Sequence, residues 1–445
     1  MKRIFGALLL IAGITMAVAS CKKEPKQQPI EVAVQLFCEG AAFEVEGVAV
    51  TLTDATGIGY EETTDASGFA YFNVLPGQYS ATALHKEVVD GERIAYSGQN
   101  TNILVAKGLV EPFQVVLNKV VSQQIIIKEF YNGGCPNDDG AGFYGSDQYV
   151  ILYNNSPDPA DASNIVFAHG MPYEPQTTNQ YFQEDGTLLY ENLDWIPAGS
   201  ALWWFENPVT IEPYSQIVVV FKQAIDHSQV AAAAPDLSKA EYYWMSNKDI
   251  PAYQMGNTYQ VSENIPSSHY LTGYAFGMTP MGWALSSSSP VFFIGRMDSA
   301  TADALCKDTD GLDKTLGAMA AFYSLKFPKS AFVDGIEIWP AGNEDNCRHR
   351  LSADVNSGHL SLTPKLGYTA YRNVDKEATE ALPENEGKLV YNYAGGTGSE
   401  ADDNLSTDPS GIDAEASIKN GAHIIYLETN NTANDFHQRR VSSLK

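Results

Sequence analysis

The sequence predicts a mostly β chain of more than one domain, and three observations carry that prediction. Apolar residues recur two apart at Val32, Val34 and Leu36, and again at Val48, Val50 and Leu52, the spacing of strands with one buried face. Gly47, Gly57, Gly59, Gly68 and Pro76-Gly77 punctuate those runs as turns. Farther on, aromatic and aliphatic runs such as 125–132 and 148–156 read as strands, and helical stretches are few. Hydrophobic residues make up 44% of 445, enough for two or three cores.

Taken in order, residues 1–20 read as a leader. Lys2 and Arg3 give a positive start, Ile4 to Val18 an apolar stretch, and small residues then lead to Cys21, the order of a secretory signal peptide. The stretch is short for a membrane span, which needs about 20 apolar residues. The ending Val18-Ala19-Ser20-Cys21 resembles the lipobox of bacterial lipoproteins. That resemblance implies cleavage before Cys21, acylation of its thiol and anchoring in a membrane by lipid. Residues 21–30 are polar, carry Pro25 and Pro29, and read as the lipidated tether. The resemblance to surface lipoproteins of the Bacteroidetes implies an outer-membrane address at the cell surface, with the periplasmic face as the alternative.

Residues 31–118 read as an antiparallel β-sandwich. Gly47-Val48-x-Val50-x-Leu52, Thr64-Asp65-x-x-Gly68-x-x-x-Phe72 and Leu75-Pro76-Gly77-x-Tyr79 resemble the carboxypeptidase-regulatory-like family, close to Cna-B repeats with their transthyretin-like fold. The resemblance implies a non-catalytic stalk. In this reading Asp65 and Gly68 turn the chain, while Phe72 and Tyr79 enter the core.

Residues 122–445 form the larger region. Ile125 to Asn132, Gln148 to Ser156, Val209 to Val220 and Tyr371 to Asp375 resemble strands of the lamin-tail domain, an immunoglobulin-like sandwich. Because that domain is about half as long as this region, residues ~225–340 are expected as an insertion or a second subdomain. The stretch as a whole, through Tyr371 to Glu380 and Ser410 to Phe436, resembles the DUF4876 family of the Bacteroidetes, a label that implies no activity. Helices are expected over Ser228 to Ala234 and Ala300 to Tyr323.

Composition and motifs narrow the function. A formal net charge of −26 repels phosphate backbones, so nucleic acid is excluded as a partner. The chain has no Gly-x-Ser-x-Gly elbow, no His-Glu-x-x-His and no phosphate-binding glycine loop, and no catalytic residue is assigned. Cys38, Cys135, Cys306 and Cys347 form disulfides or remain buried thiols; both alternatives stand. Asp138, Asp139 and Asp147 flank a glycine-rich loop and are the candidate calcium ligands, against the plain use of Asp as a turn residue. Asp308-Thr309-Asp310-Gly311 resembles a calcium loop with its glycine out of place and reads as a capped turn. Trp203-Trp204-Phe205 puts neighbouring rings on opposite faces of a strand. One indole is expected in the core and the other outside, so Trp203 and Trp204 are the candidate ligand-binding residues.

The expectation is a non-catalytic lipoprotein whose first domain lifts a second domain toward a protein partner or extracellular ligand. It would serve an uptake or adhesion system built on an outer-membrane β-barrel transporter. A glycan-binding surface protein is the alternative, and a hydrolase with a dispersed site the third reading.

Overall fold

The computed structural model describes residues 28–89, 92–108, 111–176, 179–199, 201–245, 262–276, 285–317, 319, 322–391 and 408–445. The leader and Cys21 lie outside the described residues. The protein is mostly β and divides into two units. The first comprises the described residues up to Ala83 together with Gln99–Val116; the second comprises Leu84–Gly98 and Leu117–Lys445. The boundary is thus not a single cut near residue 118, because two long strands, Gly77–Val89 and Glu92–Val105, contribute to both units.

In the first unit the period-2 pattern becomes structure directly. Val32, Val34 and Leu36 point inward from Ile30–Cys38, and Val50 and Leu52 from Ala49–Asp54. Ile30–Cys38 pairs antiparallel with Phe69–Val74, bringing Val32 opposite Phe72. The Asp65–Gly68 turn forms as its residues dictate: Asp65 Oδ1 accepts from the amides of Ser67 and Phe69, and Gly68 adopts φ +77°. A Cβ at Gly68 would sit 2.3 Å from the Phe43 carbonyl oxygen. Gly68→Ala therefore combines left-handed backbone strain with a clash. It is expected to lower stability by about 1–3 kcal/mol in urea titration. Phe72 and Tyr79 are buried, and the Tyr79 hydroxyl donates to the Leu75 carbonyl.

The second unit is built on one twelve-stranded sheet. Its spatial order begins with Leu360–Leu362, Phe332–Pro340, Val291–Arg296, Ile165–His169, Ala201–Phe205 and Tyr270–Ala275. It continues through Tyr243–Met245, Gln216–Val220, Tyr149–Asn154, Ile125–Tyr131, Thr369–Arg372 and Phe436–Arg439. The sheet curls until its ends meet. The Ile127 amide donates to Asp334 Oδ2, and the Thr363 amide to Gln438 Oε1. Inside lies one large core that includes Ile127, Phe130, Leu152, Phe167, Phe292 and Ile336. Outside, loops and short helices cover the sheet with further apolar clusters. Strands buried on both faces explain the unbroken apolar runs of this region.

Two expectations are corrected here. The supposed insertion at ~225–340 supplies four strands of the same sheet: Tyr243–Met245, Tyr270–Ala275, Val291–Arg296 and Phe332–Pro340. The long helix over 300–323 is only Ser299–Lys307. Asp298 caps its start by accepting from the Thr301 amide, and the Asp308 carboxylate then accepts from the Gly311 amide and turns the chain away. The other expected helix is a single 3-10 turn, His227–Gln229. Among the described residues no helix is long and apolar enough to cross a membrane.

Candidate functional site

A cavity of about 400 Å³ opens within the second unit where two strands, a short helix and a loop meet. Lys86 to Val88 and Arg93 to Ala95 come from the two long strands, Asp375 to Ala381 from the short helix Lys376–Glu380 and its ends, and Tyr426 to Glu428 from a loop. The helix is placed by its cap, since Asp375 accepts from the Ala378 amide. Asp375 also pairs with Lys86 at 2.7 Å, and Glu377 lies 3.9 Å from the same ammonium. Arg93 donates from Nη2 to the Asn155 carbonyl at 2.6 Å.

Glu428 is the unusual lining residue, only 3% exposed. One oxygen, Oε2, accepts from the Gln123 amide; Oε1 is buried with no hydrogen-bond partner. Behind Glu428 stands a buried ionic cluster around Arg372. The Arg372 Nη2 group donates to Asp334, its Nε donates to the Ile127 carbonyl, and its Nη1 lies 3.6 Å from Asp435. Asp435 also accepts from the Thr429 amide and hydroxyl. Two carboxyls thus share one guanidinium, Glu428 stands near them without pairing to it, and all are buried. Burial, then the nearby Asp334 and Asp435, push Glu428 up to about 8. Burial also raises Asp435 to about 6, against the pull of Arg372.

The folded state keeps a proton on Glu428 that the unfolded chain loses above its ordinary 4.5. This contribution is full below pH 4.5 and is lost as pH rises through about 8. Glu428→Gln mimics the protonated form. Urea titrations from acid to mildly alkaline pH are expected to show a flatter decline in the variant than in the parent across that window.

The residues singled out from the sequence are placed elsewhere. Trp203 and Trp204 do lie on opposite faces, but both faces are covered. Trp203 is 2% exposed inside the sheet, and Trp204 is 6% exposed under the outer cluster with Phe293 and Phe327. Neither is an exposed stacking platform. Asp138 accepts from the Ala232 amide, Asp139 caps its own turn at Ala141, and Asp147 is buried against the Tyr131 hydroxyl. The three do not converge, and no group of three acidic, His or Cys metal ligands occurs among the described residues. Cys135, Cys306 and Cys347 are buried thiols outside any disulfide; Cys38 is half-buried in the first unit. Arg372, Glu428, Arg93 and Lys86 were not among the expected site residues. A signal for Arg372 existed in its position within an apolar strand; none marked the other three.

No family profile and no curated protein matches this chain. A crystal structure of a DUF4876 family protein from Bacteroides thetaiotaomicron is similar to it, at 19% identity and a TM-score of 0.49, covering 92% of this chain and 94% of that one.

Proposed function

We propose that this protein is a lipid-anchored cell-surface binding protein and that the Glu428 cavity holds its ligand. The observation that carries the reading is a buried, half-satisfied carboxyl on the wall of an open cavity. A buried polar atom without a partner costs about 1–3 kcal/mol in a folded protein, a cost that native structures keep mainly where function uses it. The location rests on the lipobox at Cys21 and the polar tether behind it. A partner of the β-barrel transporter class, or an extracellular glycan or protein, fits that location. The tryptophans no longer favour the glycan, because neither ring is available for stacking.

The test is cross-linking and co-purification of the acylated protein from its own outer membrane. A partner in near-equal amount is expected, together with a diacylglyceryl-modified peptide starting at Cys21. Cys21→Ser should shift the protein into the soluble fraction. Recovery of an unacylated, soluble wild-type protein would contradict the anchoring.

A second reading, hydrolysis, draws on the same wall. A carboxyl with a raised pKa and a second carboxyl, Asp375, line one cavity, the kind of pairing that acid–base hydrolysis uses. Turnover of aryl glycosides that disappears in Glu428→Gln would favour it over simple binding.

A further inference from the structure

We propose that the cavity takes a carboxylate carried on a short apolar stem, with the Arg93 guanidinium as its anchor. This rests on the reading above and names the ligand class of that site. Arg93 sends a single hydrogen bond, from Nη2 to the Asn155 carbonyl. Its remaining nitrogens make no bond within the described residues, and none of them is sealed from solvent. The side chain is half-buried on the cavity wall, so those donors are open to a ligand there. A guanidinium presents its N–H groups as a planar fork that matches the two oxygens of a carboxylate.

Two arginines in the core already have their carboxylates: Arg350 pairs with Glu337, and Arg372 with Asp334. Arg93 has no carboxylate in contact among the described residues. Burial is the largest influence on it and pulls the guanidinium down, ahead of the attraction of any acid. Asp375 is the acid that acts on Arg93 most strongly, and Lys86 holds it at 2.7 Å. The other acids on the wall leave the guanidinium without a partner too. Glu87 accepts from the Tyr96 hydroxyl, the Glu377 side chain is 87% exposed, and Glu428 keeps its proton at neutral pH.

The whole chain carries −26, a field that opposes an anion from a distance. Salt screens that field beyond about 10 Å at about 0.1 M, while a pair in contact on a half-buried wall is screened less. Contact with Arg93, not long-range attraction, therefore holds the ligand. Ser122, whose amide donates to the Arg93 carbonyl, lines the same wall and offers its hydroxyl. Val88, Ile94, Ala378 and Ala381 supply apolar surface for the stem. Two sources share this chemistry: a peptide carboxy-terminus with an apolar last residue, and a free short-chain acid.

Ligand-observed NMR titration of the intact protein tests this. Pentanoate, pentan-1-ol and pentylammonium share one stem, and N-acetyl-leucine carries its carboxylate as a peptide end does. Saturable binding of a carboxylate is expected, about tenfold or more tighter than the alcohol and the ammonium, because both lack the charge-assisted pair. N-acetyl-leucine ahead of pentanoate assigns a peptide end; the reverse order assigns a free acid. Arg93→Gln should lose about tenfold or more for the carboxylates while keeping the alcohol's affinity, and Arg93→Lys should fall between. Should the variants fail to fold, the order of the probes on the wild type decides. A preference for pentan-1-ol or pentylammonium, or carboxylate binding that survives Arg93→Gln, overturns the carboxylate assignment and leaves the binding reading in place. Saturation by none of the probes overturns both this assignment and the cavity as a small-ligand site.

Discussion

Arg372→Met is expected to destabilise the protein by about 3–5 kcal/mol, the cost of leaving buried charges without their partner. Arg372 lies on Thr369–Arg372, next to Ile125–Tyr131 in the sheet, and its side chain is wholly buried. It bonds Asp334 on Phe332–Pro340 and the Ile127 and Leu427 carbonyls, and stacks over Phe436. One side chain therefore joins the two ends of the curled sheet. Methionine fills much of the volume but leaves Asp334, Asp435 and Glu428 with no cation. Urea unfolding at neutral pH should show the full loss. In acid the loss should shrink, because the carboxyls then take up protons in both proteins. Arg372→Lys should fall between, since it restores charge without the fork of donors. A loss below about 1 kcal/mol for Arg372→Met would show that the cluster does not hold the ends together.

Trp203→Ala is the second large effect, expected at about 3–5 kcal/mol. Trp203 fills the interior of the sheet beside Phe205, and Gly273 on the neighbouring strand has no room for a side chain, because a Cβ there would meet the Leu202 carbonyl oxygen first and then the indole. Trp204→Ala should cost a similar amount through the outer cluster. Both variants should lose stability in calorimetric or urea melts while any surviving folded fraction keeps its ligand affinity. Weaker binding at unchanged stability would return the pair to a recognition surface.

The same residues show why the sequence was only partly legible. Alternation at Val32, Val34 and Leu36 identified the strand and its inward face, because the first unit's sheet has one apolar side. The same logic failed at Trp203-Trp204. Alternation assigns opposite faces but says nothing of what covers the second one, and here a distant segment that includes Phe293 and Phe327 does so. The supposed insertion failed for a related reason. Pairings such as Ile165–His169 with Val291–Arg296 join strands far apart in the chain, and spacing does not encode such partners. The buried charges left a trace: Lys128, Glu129, Asp334, Glu337 and Arg372 each interrupt an apolar strand. A charge there needs a buried counterion, but the sequence does not say which. Burial would raise Glu337, yet Arg350 and His349 outweigh it and hold it down to about 2. Glu428 lacks such a partner and moves the opposite way. That contrast, on which the candidate site depends, arises only once the chain is folded.

The most direct test places a photo-cross-linking residue at Val88, which is 69% exposed and lines the cavity, in the acylated protein on living cells. A matched probe at Ile58, exposed in the first unit, serves as the control. A discrete adduct at Val88, absent at Ile58 and reduced by Glu428→Gln, is the predicted result. Equal labelling at both positions, or none at Val88, would contradict the cavity as the place where this protein binds.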